Sequence, residues 1–444
     1  MTSVYEAIKA KAGSLIEKVR GSVGETPLMF LLAFATGLLT GVIAFLLKRA
    51  IGIVSRFLTT SFHESGPDWW FLLIPVAGLF LAGVFQKYVL GRQINHGISR
   101  IIKIFRGGDY KLGGYWCFSP FIASTFTLGF GGSAGSEGPI AATGAGIGSN
   151  IGQAWRMSPQ MVMILAGAGA GAGIAGIFKA PIGGMLFTIE VMRLPLTVAG
   201  VIALLVACLT SALTAYSLSG FTIDLAFASS ATLNTTLIID ALILGIFCGF
   251  YSLYYSYIMK KVETWLDKMR HPLVRSLAAG AGLGVCLFLF PALYGEGYGI
   301  IDKIINGHGS QILSGALFGL TDSAWGIAVV AAGILLVKCA ATSATNTGGV
   351  AGDFAPTLFA GSVAGLLFAT VANNLIGLSL PPGPMALMGM AGVMAGAIRA
   401  PLMAIFLVLE ITASYTLVLP ITLTAALSFG IVRFFTSEDF FERR

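Results

Sequence analysis

Apolar residues fill this chain in long blocks, and charges interrupt them only at intervals. Uncharged runs cover Thr26 to Leu47, Leu194 to Ile223, Ser276 to Gly295, Phe354 to Ile398 and Ile411 to Val432. Each exceeds the roughly 20 residues that a helix needs to cross a bilayer, and the 354–398 run is long enough for more than one segment. The pattern predicts an all-α polytopic membrane protein. Residues 1–25 differ, because charges are mixed through them and no continuous apolar core of a cleavable signal is present. There Val4, Ile8, Leu15, Ile16 and Val19 form one face, with Lys9, Lys11, Lys18 and Arg20 elsewhere. That spacing predicts a short amphipathic helix at the cytoplasmic interface.

Composition strengthens this picture. Charged residues make up 11% of the chain, against roughly 25% in soluble domains. The net charge of +7 lies in loops beside apolar segments. Positive-inside topology accounts for it without nucleic acid. The five cysteines show no paired spacing and read as small buried hydrophobes, and the four scattered histidines offer no zinc pattern. Glycine supplies 58 of 444 residues, near twice the usual share of about 7%. Stretches such as Gly167 to Gly176 suit close helix packing in lipid. Gly144-Ala145-Gly146-Ile147-Gly148 lacks the preceding strand that a dinucleotide loop requires. Trp69, Trp70 and Trp265 read as interfacial anchors.

An internal repeat divides the chain. Lys179-Ala180-Pro181, with Glu190 closing the apolar run after it, returns 220 residues later as Arg399-Ala400-Pro401 and Glu410. Gly135, Pro139, Gly144 and Gly148 return as Gly352, Pro356, Gly361 and Gly365, and Gly97-Ile98 as Gly299-Ile300. The resulting boundaries are 26–222 and 223–434 for the two halves, with a short cytoplasmic tail at 435–444. Residues 87–111 carry a net charge of +5, whereas the equivalent 296–322 carry −2. Equivalent loops of opposite charge fall on opposite sides of the membrane, as inverted repeats require. The basic stretches 87–111 and 260–275 are then cytoplasmic.

Substrates of inverted-repeat transporters sit near the midplane, where broken helices point their ends. The candidate breaks are Gly135 to Pro139, Lys179 to Pro181, Gly348 to Pro356 and Arg399 to Pro401. Helix starts present free N–H groups and the positive end of a dipole, which favours an anion. Glu137 is the only charged residue between Lys111 and Arg156. A carboxylate at membrane depth usually belongs to an ion or proton pathway. As an anion at a helix start, Glu137 is placed to fill the position of a transported anion, so that its protonation opens the path.

Gly135-Ser136-Glu137-Gly138-Pro139 and Gly352-Asp353-Phe354-Ala355-Pro356 resemble the G-x-E-G-P and G-x-F-x-P motifs of the CLC family of chloride channels and chloride/proton exchangers. The resemblance covers essentially the whole membrane portion. It implies a homodimer with one pore per subunit, built from tilted and re-entrant helices. It also implies a gate at Glu137, with Ser136 and Gly138 beside it in contact with the anion, and backbone amides of Asp353 and Phe354 on the central anion. Chloride or another small anion is then the transported ligand, and no cofactor or metal is called for. The setting is the inner or plasma membrane of a prokaryote.

Three departures from the family pattern bear on mechanism. The first anion motif corresponds best to Asn95-His96-Gly97-Ile98-Ser99, which puts His96 in place of a serine and keeps Gly97 and Ile98 as anion contacts. A neutral imidazole still donates one N–H and a protonated one binds an anion more strongly; the plainer reading is a histidine bonded within a polar loop. Second, exchangers of the family typically show two consecutive glutamates after the Ala-Pro break, the second relaying protons. Here Glu190 is followed by Val191, which carries no proton, and Glu190 reads as structural, paired with a basic group such as Arg193. Third, the inner-gate tyrosine is absent from Ser437 to Arg444, where Phe440 or Phe441 stands instead.

Val191 favours channel-like or weakly proton-coupled conduction, with a chloride/proton antiporter of non-standard proton path as the alternative. An intramembrane enzyme using Glu137 is disfavoured, since no second catalytic acid, histidine pair or activated nucleophile accompanies it. Lys338, inside an apolar run, has three readings: it attracts anions, pairs, or snorkels.

Overall fold

A computed structural model describes residues 24–59, 69–94, 97–106, 110–194, 197–222, 235–314 and 323–436, with Ser22, Gly108, Leu225 and Phe227 besides. The expectations for residues 1–21, His96, Phe440 and Phe441 lie outside the described residues. The architecture is helical. The first half contains α1 (Glu25–Thr59), α2 (Trp70–Val84), α3 (Gly97–Arg106), α4 (Ser119–Gly129), α5 (Glu137–Ala154), α6 (Pro159–Phe178), α7 (Pro181–Glu190) and α8 (Val198–Leu218). The second contains α9 (Thr235–Asp267), α10 (Pro272–Leu289), α11 (Tyr298–Ile305), α12 (Ala324–Gly348), α13 (Phe354–Leu375), α14 (Pro382–Ile398), α15 (Pro401–Thr412) and α16 (Val418–Phe435).

Helix for helix, α1–α8 answer to α9–α16, and the packing repeats as well. Helix α5 lies along α6 as α13 lies along α14, and α1 packs on α8 as α9 packs on α16. Equivalent elements also meet each other, α2 against α10 and α7 against α15. That self-pairing is what a two-fold pseudo-axis between inverted halves produces. Among the described residues, nine helices are long and apolar enough to span a bilayer. The 354–398 run resolves into α13 and α14, the second too short for a full crossing.

Local chemistry sets the helix ends. Proline occupies the first turn of α6, α7, α10, α14 and α15, where its missing N–H costs nothing. Thr197 and Ser323 cap α8 and α12, each hydroxyl accepting from a backbone N–H at 3.1 Å. Lys179 and Arg399, at matching positions, adopt left-handed φ values of 55° and 63° and stop α6 and α14. Gly144 and Gly169 bring α5 and α6 together so closely that a Cβ on either would stand about 2 Å from the other's carbonyl oxygen. Gly361 and Gly389 do the same for α13 and α14. Glycine here is a packing requirement repeated in both halves. Exposed Leu, Ile and Phe side chains cover much of the outside, as contact with lipid demands, and Trp69, Trp70 and Trp265 are exposed among them.

Candidate functional site

The two glycine-rich helix starts meet face to face. Gly135 and Gly352 form a single antiparallel bridge, the Gly135 N–H donating to Gly352 O at 3.0 Å and the Gly352 N–H to Gly135 O at 2.7 Å. From this bridge α5 and α13 depart with their first amides directed at the space between the halves. The Glu137 carboxylate fills that space. Its Oε1 accepts from the Phe354 N–H at 2.5 Å and from the Ala355 N–H at 3.2 Å. Glu137 is 1% exposed, and its Oε2 has no hydrogen-bond partner among the described residues. A Cβ on Gly135 would lie 1.8 Å from that oxygen, and one on Gly352 would lie 2.7 Å from Oε1. Both motif glycines therefore leave room for the carboxylate itself.

A polar shell surrounds it. Lys338 is fully buried on α12, so it does not snorkel; its ammonium donates to Ser133 Oγ at 2.9 Å and lies 4.7 Å from the Phe359 ring centre. It is near enough to Glu137 for their charges to attract. Thr342 Oγ1 donates to Ser133 O, and Ser133 Oγ to Leu293 O, which ties the strand-like approach of α5 to the loop before α11. Asp353 is buried and accepts from Asn346 Nδ2 at 2.5 Å. Phe187 of α7 meets the Phe354 ring edge-on at 5.6 Å between centroids and closes the site on that side.

Several predicted residues find other employment. The amides on the Glu137 carboxylate are those of Phe354, one of the predicted pair, and of Ala355. Asp353 is the N-cap, and the forward-pointing N–H groups belong to the first two helical residues. The two donors of Ser136, its N–H and its Oγ–H, both go to Glu296 Oε1, at 2.8 and 2.5 Å. Gly138 stacks its Cα side on Ala351 and Gly352. Gly97 and Ile98 open α3, which packs on α5, and Ile98 is buried in the core. Val191 is buried at the end of α7, so no acid stands there.

The Ala-Pro breaks depart furthest from expectation. The N-terminus of α7 is occupied by Glu410, whose oxygens accept from Ile182 at 3.0 Å and Gly183 at 2.7 Å. The N-terminus of α15 is occupied by Glu190, through Leu402 at 3.2 Å and Met403 at 2.7 Å. These two helix starts thus hold carboxylates of the opposite half. Glu190 is structural as expected, but as a helix cap 212 residues away, instead of the local partner of Arg193. Glu296 and Ala355 are the site residues that sequence reasoning missed. The signal for Glu296 was its setting, a carboxylate between Gly295 and Gly297 at the edge of an apolar run.

A family model described as voltage gated chloride channel matches residues 77–433. The chain belongs to this family. Its CLC relatives include a ClcB-like protein of Ralstonia nicotianae, 28% identical over 364 residues, which cover 80% of this chain and 81% of the relative. A protein of Vibrio cholerae named H(+)/Cl(-) exchange transporter ClcA is 27% identical over 429 residues, 91% of this chain and 86% of its own. The crystal structure of a slow cyanobacterial Cl-/H+ antiporter superposes with a TM-score of 0.79 at 23% identity, covering 94% of this chain and 96% of that one. The CLC fold, an integral membrane architecture of inverted repeats, is thereby established for this chain.

Proposed function

We propose that this CLC protein exchanges chloride, or a similar small anion, for protons, with Glu137 as the protonatable gate. The observation that carries the reading is the Glu137 carboxylate on the Phe354 and Ala355 amides. A group that already binds two helix-start N–H donors as an anion competes with a transported anion for the same donors. Protonation removes its charge, weakens its hold and frees the amides. Flux therefore rises as pH falls. Coupling requires that a proton taken by Glu137 from one side be released to the other as the anion crosses in the opposite direction.

The expectation of channel-like conduction rested on Val191, and that observation still favours a second reading of weak coupling or none. Exchange is the better supported of the two, since a relative aligned over 91% of the chain is named an exchange transporter. Proton passage then uses a route other than the position of Val191. The homodimer and the location in a bacterial inner membrane belong to the same proposal. Purified protein in liposomes, with chloride efflux and pH followed together, tests it. Chloride-driven proton movement in fixed ratio is expected; chloride efflux without proton movement would leave the channel reading. Glu137→Gln, which keeps the shape and removes the titration, should carry chloride with most of its pH dependence lost. A pH profile like that of the wild type would move the gate elsewhere.

A further inference from the structure

Glu296 holds the start of α5 as Glu137 holds the start of α13. One oxygen of each carboxylate accepts two donors at a helix N-terminus: Ser136 N–H and Oγ–H for Glu296, Phe354 N–H and Ala355 N–H for Glu137. Ser136 and Glu137 are neighbours in the chain, and the two carboxylates are close enough for their charges to repel. Their burial differs. Glu137 is sealed in, whereas Glu296 is half-buried, at the start of the stretch that sequence charge assigns to the outside.

The segment that carries Glu296 is built to hold it there. Gly295 and Gly297 on either side have φ values of +69° and +86°, and a Cβ on Gly297 would strike the Phe359 ring. Ser133 Oγ anchors the same segment at Leu293 O, 2.6 Å away. The charged and titratable groups nearby are Glu137 on α5, Lys338 on α12, Lys48 on α1, 5.5 Å from the Tyr298 ring centre, Tyr294 before α11 and Tyr298 at its start. Lys338 donates to Ser133 and attracts Glu137.

We propose that Glu296 is a second, outer gating carboxylate, and that an anion passes between the α13 amides and the outer solution only after both Glu296 and Glu137 have been displaced. A proton entering from the outer solution neutralises Glu296, and the released Ser136 donors become the last contacts of an anion moving outward in exchange. The proton's next acceptor is Glu137, one residue further in. The inference rests on the gating role of Glu137 and adds to it an outer stage that the motif does not contain.

Planar bilayers in which pH is changed on one side at a time separate the possibilities. With Glu296→Gln, chloride current under alkaline outer solution should rise about tenfold over wild type, the factor of one charge-assisted hydrogen bond weakened, with inner pH dependence unchanged. Glu137→Gln should retain a residual outer pH dependence, and the double variant should have none. Glu296→Asp, too short to reach both donors, provides a second reading if the amide variant folds poorly, and should shift the outer profile in the same direction. An outer profile identical to wild type in these variants, or an effect from the inner side alone, would overturn the proposal and assign Glu296 a structural cap. Wild type without chloride current, or Glu137→Gln with an unaltered profile from both sides, would instead sink the gating of Glu137.

Discussion

Two pairs of helix starts lie at the junction of the halves, and they use the same chemistry to different ends. At α7 and α15 the arrangement is reciprocal: Glu410 binds two amides of α7, and Glu190 binds two amides of α15. At α5 and α13 it is not. Glu137 reaches the amides of α13, but its counterpart in the second half is Phe354, which has no charge to return. Helix α5 is served by Glu296, from a loop whose matching position in the first half is Ile94. A symmetric pair of caps closes a joint; a pair with one member replaced leaves a carboxylate that nothing on the other side requires. Symmetry holds at the clasp and is broken at the proposed gate.

The comparison breaks most visibly at the clasp. Glu410→Ala strands two part-buried N–H donors and should lower stability by about 2 kcal/mol, with Glu190→Ala less because one of its bonds is longer and exposed. Thermal unfolding in detergent measures both, and the pH dependence of chloride flux in either should match wild type. A changed pH profile would make the clasp part of the pathway. A smaller effect, and one of the opposite kind, belongs to Gly135→Ala. Its methyl group would occupy the place of Glu137 Oε2, so the carboxylate must leave the α13 amides and flux at alkaline pH should approach that of Glu137→Gln. Unaltered flux would mean that the carboxylate's position does not govern transport. Smallest is Ser136→Ala, which removes the hydroxyl donor and leaves the amide on Glu296. About 1 kcal/mol of stability should be lost, and the outer pH profile should move a fraction as far as in Glu296→Gln.

Much of this was legible in the sequence, because a bilayer dictates the spacing of charges. Apolar runs, basic loops and the two motifs pointed to a membrane protein of two related halves and to the helix starts that meet at Gly135 and Gly352. Glu137 was recognisable since a lone carboxylate in an apolar stretch has few other uses. The reciprocal caps were half visible: Glu190 and Glu410 each follow an Ala-Pro start at one spacing, but which helix a carboxylate caps depends on how the halves dock. Proximity in sequence favoured Arg193, and the fold chose amides 212 residues away. Glu296 was hidden by its loop, where an acid among polar residues reads as solvated charge until Ser136 is found beside it. That Ala355 joins Phe354 on Glu137 follows from where α13 takes up helical geometry, which a motif does not specify.

The Gly135–Gly352 bridge has one more consequence, and it concerns movement. Many inverted-repeat carriers work by rocking one half against the other. Here such a swing would have to open the two bonds of the bridge and the four of the clasps together. With the hinge line stitched shut, the strokes left to the machine are rotations about side-chain bonds. If the two carboxylates gate as proposed, a transporter of this design is geared for displacements of a few ångströms, and its speed is set by how quickly protons find them instead of by how quickly two domains can part.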